Sequence, residues 1–178
     1  PVTEPAYDAL RRFFALPEAD KLDVEMTRSP HFRGYTRTGG ELTEGRVDWR
    51  EQIDVGAERD LVTGGAAYNR LEGPNLWPDA LPSLRPTLTD WSQRCSIIGM
   101  TLLRAWARAL GAAEDRFDDA FDRPSTLIKL VRYPGRAGDK RQGVGAHKDP
   151  GVLTLLMIEP EKAGLQVEHG TDWIDAPP

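Results

Sequence analysis

Cysteine is almost missing from this chain. One residue, Cys95, stands among 178, so no internal disulfide can form and the small disulfide-stapled classes are excluded. Cys95 falls on the apolar stripe of an expected helix beside Ile98, where a thiol behaves as a small buried hydrophobe. Long apolar runs are missing too. Nothing reaches the roughly 18 residues a membrane-spanning helix needs, and the opening PVTEPAYDAL has neither the basic nor the apolar region of a secretory signal. The expectation is therefore the cytoplasm and no membrane partner. An excess of basic charge is lacking as well: the formal net charge is −5, with Lys and Arg scattered among acids. That excludes the basic stripe of a nucleic-acid surface and leaves small molecules as the expected partners. Histidine is scarce, with only His31, His147 and His169, so imidazole chemistry is confined to three places.

What is present is a globular composition. The chain is 39% hydrophobic and 29% charged, and its 17 Gly and 14 Pro stay below the level of a disordered chain. Its length suits one domain with a hydrophobic core. In YDALRRFFALPEADKL, Tyr7, Leu10, Phe13 and Phe14 recur at helical spacing and Pro17 can open a second short helix. The stretch from Ser29 to Gly45 is dense in Gly, Ser and Thr around His31, Phe32 and Tyr35, which suits an ordered, pocket-lining loop. Its Arg33, Tyr35 and Arg37 hint at an anionic or aromatic ligand.

A long helix is expected where Leu84, Leu88, Trp91, Cys95, Ile98, Leu102, Ala105 and Ala109 recur at steps of four and three, with Gly111 as its C-terminal cap. Phe117 and Phe121 mark a further short helix before Pro124. From Ser125 onward, STLIKLVRYP, GVLTLLMIEP, GLQVEHG and DWIDAPP read as strands. The expected fold is α+β, one domain over 1–178, mainly helical over 1–123 and β-rich over 124–178. So few strands would leave open sheet edges, and the chain starts at Pro1 and stops at Pro178; the expectation is the central portion of a longer protein.

GVGAHKDPGVLTLLMIEP sets His147 and Asp149 two apart at the head of an apolar run. On a strand such residues share a face, so an imidazole and a carboxylate would converge on one ion, supplying two of the three ligands of a two-His-one-carboxylate iron site. Asp149-Pro150-Gly151 is equally good turn chemistry, and on these letters both readings stay open. His169 lies in EHGTDW, a hairpin tip by its letters and so remote from such a face. His31 reads as a packing or surface residue of its loop.

The surrounding segments add a second line of argument. LIKLVRYP, GAHKDPGVLTLL and GLQVEHGTDWIDAPP follow one another in the order, and with the motifs, of the isopenicillin N synthase-like family of iron(II) and 2-oxoglutarate-dependent dioxygenases, which the chain resembles. FFALPEADKL, SPHFRGYTRTGGE, DWREQIDVG and LLRAWARALG are similar to the N-terminal half and central helix of that family. The resemblance implies a distorted jelly roll, or double-stranded β-helix, with buttressing helices, incomplete here at both ends. It implies Fe(II), 2-oxoglutarate as cosubstrate and O₂, and oxidation of a small-molecule substrate coupled to oxidative decarboxylation of the cosubstrate. His147 and Asp149 match the first two iron ligands, and Tyr133 matches a tyrosine that reaches a carboxylate of cosubstrate or substrate, although it also reads as a packed strand aromatic. Val131 stands where family members often carry Asn. The third ligand, a distal His followed by Arg-x-Ser for 2-oxoglutarate, has no match in the chain. The alternatives are an isopenicillin N synthase-type oxidase that works without 2-oxoglutarate, or a non-catalytic jelly-roll module.

Overall fold

The computed structural model describes residues 3–62, 64–135 and 141–177. The chain divides into two units, Pro1–Lys148 and Asp149–Pro178.

The first unit begins with helix α1, Glu4–Phe14. Pro5 sits in its first turn, where the missing N–H costs nothing, Glu4 lies at the positive end of its dipole, and Arg11 and Arg12 lie at the negative end. Tyr7, Phe13 and Phe14 are buried, and Leu10 packs on the core as the spacing predicts. Helix α2, Glu18–Leu22, starts after Pro17, whose extended backbone (ψ 145°) turns the chain into it.

Four strands follow before residue 60. These are β1 (Gly34–Thr36), β2 (Leu42–Thr43), β3 (Arg46–Val47) and β4 (Glu51–Gly56). The stretch expected as a loop thus carries strand β1 and most of a hairpin, β2–β3. Glu44 and Gly45, at φ 51° and 76°, form its two-residue turn, with the positive φ at both positions that matches the twist of paired strands. Strand β4 is the centre of a three-stranded antiparallel sheet, β1-β4-β5, with β5 at Leu127–Arg132. Its sequence hides it. In EQIDVG, Ile53 and Val55 face the core, opposite Leu130 and Ile128. Gln52 and Asp54, on the other face, are also buried. The letters Gln52-Ile53-Asp54-Val55 alternate as in a half-buried strand, but over four residues only, and nothing in them tells that the polar face is buried as well.

Helix α3, Leu84–Ala109, closes the core against α1. The core gathers Phe13, Phe14, Tyr35, Ile53, Leu84, Leu88 and Leu130. Phe13 lies edge-on to both Phe14 and Tyr35, at ring centroid separations of 5.2 and 5.9 Å, a favoured aromatic geometry. The first turns of α3 bury Leu84 and Leu88 as expected, but Trp91 is only half-buried and the later part of the helix departs from the expected stripe. Leu103 and Ala107 are buried, whereas Ile98 and Leu102 are exposed and Cys95 is half-buried. The expected stripe follows a 3.5-residue period, which drifts around a straight helix, and the packed face leaves it by one residue at Leu103 and by two at Ala107. Gly111 ends the helix at φ 76°, with Ala112 N–H bonded to Ala107 O (2.9 Å) and Gly111 N–H to Arg108 O (3.0 Å). This is the paired closure that needs a left-handed residue. Gly111→Ala should lower stability by about 1 kcal/mol in urea unfolding, since a Cβ disfavours that conformation.

The second unit contains strands β6 (Gln166–His169) and β7 (Asp172–Asp175), paired as a hairpin with His169 opposite Asp172. Gly170 takes φ 65° at the first turn position, the two-residue turn that a leading Gly supports. GVLTLLMIEP, expected as a strand, forms no regular element, and Val152, Leu155, Leu156 and Met157 are exposed. A strand exists only through its ladder, and among the described residues none pairs with this run. No helix among the described residues is long and apolar enough to cross a membrane.

Candidate functional site

The sheet of the first unit has two unlike faces. Tyr35, Ile53, Val55, Ile128 and Leu130 cover the core face. On the other, Gln52 lies opposite Val131 and Asp54 opposite Lys129. Lys129 Nζ donates to Asp54 at 3.0 Å and Gln52 Nε2 donates to the same carboxylate at 3.2 Å. Burial raises the Asp54 pKa, against the opposing pull of the Lys129 ammonium. Tyr133 follows β5 one step past its end, in the alternation of Lys129 and Val131, and is half exposed. The backbone of Gly143 lies against its ring: a Cβ on Gly143 would sit 3.0 Å from Tyr133 Cδ1.

The segment that leads to His147 is fastened to the turn before β4. Trp49 N–H donates to Gln142 O at 2.7 Å, and the Arg141 guanidinium lies 3.7 Å over the Trp49 ring. Asp48 is fully buried. It accepts from Thr43 Oγ1 (2.7 Å), Gln142 Nε2 (2.9 Å) and the Gly145 N–H (3.2 Å), with Arg50 at 3.4 Å. Burial alone would raise its pKa, but the donors from Thr43, Gln142 and Gly145 together with the Arg50 charge outweigh it and hold the carboxylate below its usual range. His147 Nδ1 lies 2.8 Å from Gly145 O. A carbonyl only accepts, so Nδ1 carries the proton in this bond and the lone pair belongs to Nε2.

Of the residues singled out in the sequence, Tyr133 and His147 thus both lie in the first unit, Tyr133 against Gly143 and His147 against Gly145. Asp149 is the first residue of the second unit and is exposed. Gly151, at φ 122°, supplies the positive φ expected after Asp149-Pro150. Because 143–159 form no strand, strand alternation does not govern where His147, Lys148 and Asp149 point. His31 is buried, with Nδ1 2.8 Å from Arg70 O, a packing role. Arg33 and Tyr35 do not present a ligand surface. The Arg33 guanidinium donates to the carbonyls of His31, Phe32 and Leu71, and the buried Tyr35 hydroxyl donates to Glu51 at 2.6 Å. Among the described residues no group of three or more His, Cys, Asp or Glu side chains is placed to hold a metal ion. Asp48, Gln52, Asp54 and Lys129 escaped the sequence reading. A signal for the strand lay in DWREQIDVG, where Gln52, Ile53, Asp54 and Val55 alternate polar and apolar, but those letters do not tell that the polar face is buried.

Two family models match the chain in succession: one described as non-haem dioxygenase in morphine synthesis N-terminal, over residues 2–80, and one described as 2OG-Fe(II) oxygenase superfamily, over residues 125–178. Among curated proteins, the 2-oxoglutarate-dependent dioxygenase frbJ of Dothideomycetidae sp. (strain 11243) is 37% identical over 175 residues, covering 94% of this chain and 47% of that protein. Homoarginine-6-hydroxylase 2-ODD-C23.2 of Arabidopsis thaliana is 34% identical over 169 residues, with the same coverages of 94% and 47%. Among solved structures, a full-length Neurospora crassa protein in complex with alpha-KG superposes with a TM-score of 0.79 at 27% identity, over 99% of this chain and 56% of that one. The chain spans about half the length of the curated relatives it matches. Both models in their order, and curated relatives more than 30% identical along almost the whole chain, make it a member of the 2OG-Fe(II) oxygenase superfamily.

Proposed function

We propose that the protein is a non-haem iron(II)-dependent oxidoreductase that couples oxidative decarboxylation of 2-oxoglutarate to oxidation of a small-molecule substrate. In this reading β1, β4 and β5 belong to a distorted jelly roll within one oxygenase domain, buttressed by α1 and α3. His147 and Asp149 hold Fe(II) together with a third ligand, and Tyr133 approaches a carboxylate of the cosubstrate or substrate.

The observation that carries the reading is the His147 imidazole, whose Nδ1 proton is committed to Gly145 O. That bond selects the tautomer able to ligate through Nε2, the arrangement in which metal-binding histidines are commonly found. One imidazole and one carboxylate are also a donor set suited to iron(II) and leave coordination positions for cosubstrate and O₂. When bound, iron(II) with 2-oxoglutarate supplies activation of O₂, releasing succinate and CO₂ as the substrate is oxidised. The chain's own residues orient the imidazole, place a phenol at the end of β5, and line the neighbouring sheet face with Gln52, Asp54 and Lys129. A relative named for homoarginine hydroxylation, and the Neurospora crassa protein solved in complex with alpha-KG and thymine, support a small polar molecule as the substrate.

The test is stoichiometric. Succinate formed per O₂ consumed should approach one in the presence of 2-oxoglutarate and substrate. Product formation with no succinate would point instead to an oxidase of the isopenicillin N synthase type.

A further inference from the structure

We infer that Asp48 is a positioning residue for His147, acting through the backbone of Gly145. The inference rests on the iron-ligand reading above and adds to it a second residue that no ligand motif contains. Asp48 has no exposed surface, so its carboxylate serves only what surrounds it, and half of what surrounds it is the His147 segment. Gln142 Nε2 (2.9 Å) and Gly145 N–H (3.2 Å) both reach Asp48 Oδ1, while Thr43 Oγ1 (2.7 Å) holds Oδ2. Gly145 gives its N–H to Asp48 and its carbonyl to His147, whose Nδ1–H it receives at 2.8 Å. The path runs from a buried anion, through one residue's backbone, to the imidazole.

Gly145 is the residue the path requires. A Cβ there would lie 2.7 Å from Thr43 Cγ2, 2.9 Å from Thr43 Cβ and 3.0 Å from Gln142 Nε2. Any larger residue must displace either the segment or Thr43 and Gln142, the side chains that bond Asp48. A carboxylate accepting backbone and amide hydrogens in a water-excluded place makes stronger bonds than a neutral acceptor, so the anion fixes the loop more firmly than packing alone would. Supporting groups of this kind change metal affinity by about 10–100-fold when removed.

The experiment uses Asp48→Ala, Asp48→Asn and Gly145→Ala in the intact protein, with folding followed by circular dichroism. The first readout needs no metal: ¹⁵N NMR of the imidazoles, assigned by His147→Ala. The wild type should show His147 protonated on Nδ1, and Asp48→Ala should shift it toward the mixed tautomers of an unrestrained histidine. The second readout is anaerobic titration with Co(II) as an optical stand-in for Fe(II). Asp48→Ala should bind about 10–100-fold more weakly, and Asp48→Asn, whose carbonyl can still accept from Gly145 and Gln142, should recover most of the loss. If Asp48→Ala does not fold, Gly145→Ala must give the same two changes. A folded Asp48→Ala or Gly145→Ala protein with the wild-type tautomer overturns the inference. Co(II) affinity unchanged in His147→Ala overturns the iron-ligand reading instead, and leaves the tautomer result to decide the role of Asp48.

Discussion

On the proposed ligand role, His147→Ala is expected to abolish substrate-dependent succinate formation and to weaken Fe(II) binding by more than the roughly 100-fold upper range for supporting residues. The expectation follows from what is removed. A ligand substitution deletes a coordinate bond, whereas loss of a supporting hydrogen bond only lets the ligand wander. Alanine also leaves the Gly145 carbonyl without the Nδ1 donor it has at 2.8 Å, but His147 is exposed, so water can replace that donor and the fold should survive. Melting temperature within a few degrees of wild type, together with lost metal binding in anaerobic titration, would separate a ligand from a structural histidine. Protons compete with metal for the imidazole lone pair, so wild-type affinity should fall as the pH is lowered, and the His147→Ala protein should lose that part of the dependence.

Glu51→Ala is expected to be the most damaging change outside the site. Glu51 is 3% exposed, accepts from Lys21 Nζ (2.8 Å) and Tyr35 OH (2.6 Å), and forms an ion pair with Arg132 Nε (3.1 Å). Arg132 in turn donates to Phe14 O, one of the carbonyls that end α1 (3.0 Å). One carboxylate therefore joins α2, β1 and β5 to β4. Burial, then the hydrogen bond to Glu51, raises the Tyr35 pKa, which keeps the phenol a donor to the anion throughout the neutral range. Removing Glu51 strands the Lys21 ammonium, itself 9% exposed at the side chain, away from water without a counter-charge. Breaking a buried pair in this way costs about 3–5 kcal/mol, measurable as a lowered midpoint in urea. Replacing the buried group as a unit, with Lys21→Met, Tyr35→Phe and Glu51→Leu together, should cost less than Glu51→Ala alone, because no buried charge or hydroxyl is then left unmatched, while Arg132, 46% exposed at the side chain, can turn to water. A triple variant less stable than the single one would refute this account.

Both residues bear on what the sequence alone discloses. Helices α1, α2 and the first turns of α3 were legible because their apolar spacing is produced by one exposed and one buried face. Strand β5 and the β6–β7 hairpin were legible from β-branched runs and turn residues. Strand β4 was not, since its alternation spans only Gln52 to Val55, and it buries Glu51, Gln52 and Asp54 by pairing Glu51 and Asp54 with partners remote in sequence and Gln52 with Asp54 itself, which local letters do not disclose. The exposed run from Val152 to Met157 shows the converse. Apolar letters state a preference for a strand, and only a neighbouring strand can fulfil it. For the proposed site, motif order names His147, Asp149 and Tyr133, whereas the role proposed for Asp48 runs through a peptide group that has no side chain to read.

The position of β4 also dictates an order of assembly. Ile53 meets Leu130 and Val55 meets Ile128 across the whole of α3, so the pairing must close a long loop before it returns any burial energy. Pairing between β1 and β4, and the turns of α1 and α3, are closer in sequence and can form first. Until β5 is in place, one edge of β4 stays open beside Ile53, and pairing this distant in sequence is expected to be the slower step. Slow closure of that edge makes the β4 segment the place where a folding chain is most exposed to pairing with a neighbour instead of with itself.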